Sequence, residues 1–73
     1  MHYLITQSAD GCQLVDFSDT VIDLAVELRK IRAKNPQTVP AVYDQDVIEK
    51  TFLCDSFGIP TQKDGYLIRL DDI

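Results

Sequence analysis

Two cysteines, one histidine and twelve carboxylates are the groups in this chain that could serve as nucleophile, base or metal ligand. Cys12 and Cys54 are too far apart in sequence to form a CxxC redox or metal pair. His2 lies beside the N-terminus, where fraying is the expectation, and reads as a terminal surface histidine rather than a fixed general base. Neither thiol therefore has a credible base and orienting partner. Cys12, directly after Asp10-Gly11, belongs to a turn or the strand leaving it, and Cys54 falls on an apolar helical pattern. Both are expected to be reduced and to contribute to packing.

The carboxylates gather in places that local structure already explains. Asp16, Asp19 and Asp23 surround a strand-to-helix junction, while Asp44 and Asp46 flank a turn. Neither set has the oxygen-ligand spacing and central glycine of a calcium loop, so no metal site is expected. Gly11, Gly58 and Gly65 sit at three separate turns and make no phosphate-cradling loop. The sequence thus predicts no catalytic residues, no cofactor and no enzymatic activity.

Charge narrows the choice of partners. Twelve acidic against seven basic residues give a formal net charge of −5, which opposes binding to a phosphate backbone and favours a basic protein surface. Tyr3, Tyr43 and Tyr66 are the candidate anchors for such a partner, since a tyrosine ring buries area while its hydroxyl finds a polar group. Asp16, Asp19 and Asp23, or Asp71 and Asp72, would supply the complementary charge. The basic cluster Arg29, Lys30, Arg32 and Lys34 is the exception to the acidic balance. At the end of a helix it complements the macrodipole; the alternative is a nucleic-acid-binding patch.

These groups depend on a few elements for their placement. His2 to Gln7 and Cys12 to Phe17 read as two strands joined at Asp10-Gly11 into a hairpin, with Cys12, Leu14 and Asp16 on one face and Gln13, Val15 and Phe17 on the other. A helix follows from about Asp19 to Ala33 or Lys34. Val21, Leu24, Ala25, Leu28 and Ile31 form its stripe, widened by Ile22 and Val26. Ser18 would cap it, or Thr20 with Asp23 in a capping box. Asn35-Pro36 stops it.

Thr38 to Tyr43 fits either an edge strand that tolerates Pro40 or a helix that Pro40 opens. A second helix is expected from Val47 to Phe57, with Asp46 and Glu49 as its capping box and Gly58 just past its end. Lys63-Asp64-Gly65 turns the chain into a last strand, Tyr66 to Leu70. The predicted fold class is α+β: a small mixed or antiparallel sheet with two helices packed on one face, in the order β-β-α-(β)-α-β.

A chain of 73 residues, 45% of them hydrophobic, supports one compact domain over residues 1–73 and little more. Its small core makes self-association a structural expectation. The N-terminal residues resemble no signal peptide and no stretch approaches the roughly 20 apolar residues of a membrane span, so a soluble cytoplasmic protein is expected. The function predicted on these grounds is that of a small acidic protein-binding or regulatory module that occupies a partner's surface. A nucleic-acid-binding protein or a homo-oligomeric structural protein is the alternative.

Overall fold

A computed structural model describes residues 1–73. Strands β1 (His2–Ser8) and β2 (Gly11–Ser18) form a hairpin, helix α1 (Val21–Lys34) follows, and β3 (Val39–Asp44) returns to the sheet. Helix α2 (Gln45–Thr51) leads to a small hairpin, β4 (Gln62–Lys63) and β5 (Tyr66–Leu67), and then to a 3-10 turn, Leu70–Asp72. The main sheet is antiparallel in the order β2-β1-β3, and β4-β5 forms a second ribbon. This is the expected α+β class, with an antiparallel sheet and two helices packed against it. The β4-β5 turn works because Asp64 and Gly65 take consecutive positive φ values of 56° and 85°, the pairing that a tight two-residue hairpin requires.

Strand β1 is central, and its sequence shows why. Tyr3, Leu4 and Ile5 place apolar side chains in both phases of the alternation, and all are at most 4% exposed, as expected of a strand covered on both faces. On one face Tyr3 and Ile5 join Cys12, Ile48, Phe52 and Leu67 in a single core cluster, and the Tyr3 hydroxyl reaches Gln45 of α2 at 2.8 Å. On the other face Leu4 lies opposite Asp16, whose carboxyl meets Glu27 of α1. The two helices therefore cover opposite faces, not the single face expected from sequence. The physical reason is that β1 must bury both of its sides.

Strand β2 also departs from simple alternation. Leu4 pairs with Asp16 but Ile5 pairs with Leu14, so Val15 is an extra, bulged residue. A bulge resets the alternation beyond it. Phe17, opposite Tyr3, consequently shares the face of Cys12 and Leu14, while Asp16 turns to α1. This corrects the strict two-face division expected for Cys12 to Phe17.

Helix α1 begins at Val21 with Thr20 as its cap residue, and the Thr20 hydroxyl donates to Asp23 at 2.8 Å. Thr20 thus marks the observed boundary, but its side chain accepts no helix N–H, so neither the Ser18 cap nor the Thr20–Asp23 capping box is formed. Leu24 is fully buried, with Ala25, Leu28 and Ile31 partly so. Val21, Ile22 and Val26 stay exposed, because a helix lying on a sheet buries one stripe rather than half its circumference. Strand β3 settles the Thr38–Tyr43 ambiguity in favour of an edge strand, with Pro40 opposite Thr6, a position where its missing N–H disrupts no central ladder.

The second helix is shorter and earlier than the sequence pattern suggests. Asp44, not Asp46, caps it by accepting from the Val47 N–H at 2.9 Å. It ends before Phe52, where the chain becomes extended and bridges to Arg69, and Cys54 bridges to Pro60. Leu53 donates to the Ile68 carbonyl at 2.8 Å and its own carbonyl accepts from Thr61 at 2.9 Å. These non-local bonds win over helical continuation for an apolar run that suits either state. Phe57, expected on the buried helical face, is 87% exposed. The last strand is likewise shortened to Tyr66–Leu67, and Leu70 belongs to the 3-10 turn.

Candidate functional site

A concavity lies beside the bulge in β2. Met1, Tyr3, Leu14, Phe17 and Ile59 line a cavity of about 80 Å3 open to solvent. Met1 precedes β1, Tyr3 and Leu14 come from adjacent strands, Phe17 enters because Val15 is bulged, and Ile59 arrives from the loop after α2. Phe17 and Ile59 are 57% and 50% exposed and form the mouth. The Tyr3 and Phe17 rings meet with centroids 6.4 Å apart, tilted by 40°.

A polar scaffold holds the Ile59 side of the cavity. Gln45 accepts from the Tyr3 hydroxyl and donates to the Gly58 carbonyl at 2.7 Å, with a longer contact of 3.3 Å to Glu49. The Asp55 carboxylate accepts from the backbone N–H groups of Phe57 and Ile59, at 2.9 and 3.0 Å, which fixes the loop. Gly58 has φ +81°, and a Cβ there would lie 2.8 Å from Gln45 Nε2 and 2.9 Å from Glu49 Oε1. Only glycine suits that left-handed backbone so close to the Gln45 amide.

Ionisation follows from this packing. Burial pushes the Tyr3 phenol above its ordinary value, and Cys54, Asp55 and Glu49 add to the effect. The Cys54 thiol is raised in the same way, first by burial and then by Glu49 and Asp55. It donates toward the carbonyls of Phe52 at 3.5 Å and Ile48 at 3.9 Å. A raised, carbonyl-bonded thiol is a poor nucleophile. Cys12 is buried, and both cysteines are free thiols. No group of three or more His, Cys, Asp or Glu side chains is arranged to hold a metal ion.

The three tyrosines are buried or partly buried rather than exposed. Tyr3 is 4% exposed and forms the floor of the cavity. Tyr43, its register partner on β3, is partly buried and meets Phe52 edge-on, with ring centroids 5.9 Å apart. Tyr66 is also partly buried, its Cδ1 lying 3.2 Å from where a Cβ on Gly11 would stand. The acidic candidates are dispersed. Asp16 accepts from the Phe17 N–H at 2.8 Å and Asp23 serves the start of α1. Asp19 is exposed between β2 and α1, and Asp71 and Asp72 are exposed on the final 3-10 turn.

Arg29, Lys30, Arg32 and Lys34 are all exposed in the C-terminal half of α1. His2 corrects the picture of a frayed terminus. It is paired to both Ser18 and Asp44 within the central strand, is partly buried, and its Nδ1 has no hydrogen-bond partner. Met1, Leu14, Phe17 and Ile59 were absent from the sequence-based candidates. Ile59 carried a local signal in its position between Gly58 and Pro60, whereas Phe17 became a site residue only through the bulge.

No helix is long and apolar enough to cross a membrane. Comparisons with protein-family models, with curated proteins and with solved structures each find no match.

Proposed function

We propose that the chain is a non-catalytic protein-binding module that receives one large apolar side chain of a partner between Phe17 and Ile59. The observation that carries this reading is the wholly apolar, open cavity formed by Met1, Tyr3, Leu14, Phe17 and Ile59. Its volume of about 80 Å3 is well below the roughly 300–1,000 Å3 of small-molecule sites, and suits a single side-chain knob. Two half-exposed apolar walls around a buried aromatic floor have the make-up of an interface hot spot.

The partner's chemistry follows from the charge beside the cavity. Glu49 and Asp55 lie near enough to Tyr3 to influence its phenol, and the chain as a whole carries −5. A segment with an aliphatic or aromatic anchor flanked by Lys or Arg matches both features. Asp16, Asp19, Asp23, Asp71 and Asp72 contribute to the acidic field rather than to the contact itself.

Selection of displayed random peptides on the folded protein tests the proposal. Enriched peptides should combine a large apolar residue with basic neighbours. Phe17→Asp and Ile59→Asp, both at half-exposed positions, should weaken those peptides at least about ten-fold, or 1.4 kcal/mol, with little loss of thermal stability. Enrichment of no consensus, or of peptides indifferent to both substitutions, contradicts the reading.

A further inference from the structure

The geometry points to a second, independent contact surface: the outer face of α1, occupied by the same face of a second copy of this chain in antiparallel orientation. At about 100° per residue, Ile22, Val26, Arg29 and Ala33 fall on one stripe, directly opposite the Leu24, Leu28 and Ile31 side that meets the sheet. Ile22 is 77% and Val26 49% exposed. Among the strands and helices, α1 contacts only β1, β2 and β3, on its other side.

The order of charges selects the occupant. Asp23 lies in the first turn of α1 and Arg32 and Lys34 in its last, so the helix runs from acidic to basic. Asp23, Lys30 and Lys34 share one flank of the exposed stripe. Laid antiparallel, Asp23 of each copy approaches Lys30 and Lys34 of the other, while Ile22 meets Ala33. Val26 then packs on the aliphatic stem of Arg29. A parallel arrangement would instead set the basic ends side by side. Two-fold symmetry makes this surface self-complementary, as an isologous interface must be.

The interface is small. A helix of 14 residues is about 21 Å long, and two such helices bury no more than the low end of stable interfaces, about 1,000–1,200 Å2. The association is therefore weak, reversible and sensitive to salt. It leaves the Phe17–Ile59 cavity open, since α1 and that cavity occupy opposite faces of the sheet, and it stands whether or not the cavity binds a peptide.

Sedimentation equilibrium of the intact chain from roughly 10 μM to 1 mM, at low and high salt, provides the test. The expected result is a monomer–dimer equilibrium that weakens with salt, and that Ile22→Glu weakens at least about ten-fold. Lys30→Glu together with Lys34→Glu should also weaken it, by placing two Glu beside Asp23 of the second copy, and adding Asp23→Lys to that variant should restore it. Circular dichroism of each variant separates association from folding. A chain that stays monomeric throughout, as it would if this face served a nucleic acid or another protein, overturns the inference. So does a dimer that is indifferent to Ile22→Glu, or one that adding Asp23→Lys to the Lys30→Glu, Lys34→Glu variant fails to restore while the variant remains folded.

Discussion

Asp16 and Glu27 face each other across the gap between β2 and α1, and two ionised carboxyl groups in contact repel. Hydrogen bonding to Asp16 raises the Glu27 carboxyl above its ordinary value, burial and the Asp16 charge raise it further, and Lys30 opposes them. The sign is fixed by linkage: a group whose proton is held more tightly in the folded state stabilises that state below its unfolded pKa, about 4.3 for Glu. The contribution disappears as pH rises through the higher folded value. Glu27→Gln keeps a hydrogen-bond donor and removes the repulsion. It should raise stability at pH 7 by about 0.5 kcal/mol, the scale of adjacent like-charge pairs, and the gain should vanish near pH 4. Urea midpoints at the two pH values measure this, and equal midpoints for both proteins at pH 7 would refute it.

At the scale of elements, α1 divides its apolar residues between support and exposure. Leu24 is 1% exposed against 49% for Val26. Leu24→Ala should therefore cost about 2–5 kcal/mol, the range for truncation of buried Leu, whereas Val26→Ala should stay within about 0.5 kcal/mol. Denaturant unfolding at concentrations where the chain is monomeric compares them. The existence of α1, the first hairpin and the turn at Asp64-Gly65 was legible in sequence, because each has a local cause: a 3.6-residue period, alternating β-formers, or a turn residue. The end of α2 was not. Phe52, Leu53 and Cys54 fit a helix or a strand equally, and their partners Arg69, Ile68 and Pro60 are distant in sequence. The bulge at Val15 was equally hidden, since Leu14 and Val15 both suit an inward position. The candidate site inherits this gap: Phe17 reaches the cavity through the bulge, and Tyr3, read as an anchor for a partner, is held inside by the two strands beside it.

The whole molecule is a three-stranded sheet with thin cores on its two faces, one around Phe52 and Ile48, the other under Leu24. Both cores share β1, so neither helix has a core of its own to retain once that strand is lost. The limited supply of apolar residues is largely consumed in covering β1, yet Phe17, Ile59 and Ile22 remain outside. A peptide selected on the wild-type protein, titrated while methyl NMR signals are recorded, tests the meaning of that exposure most directly. Saturable shifts are expected at Met1, Leu14 and Ile59, with the Leu24 and Leu28 methyls unmoved. Shifts confined to α1, with Met1 and Ile59 silent, would contradict it.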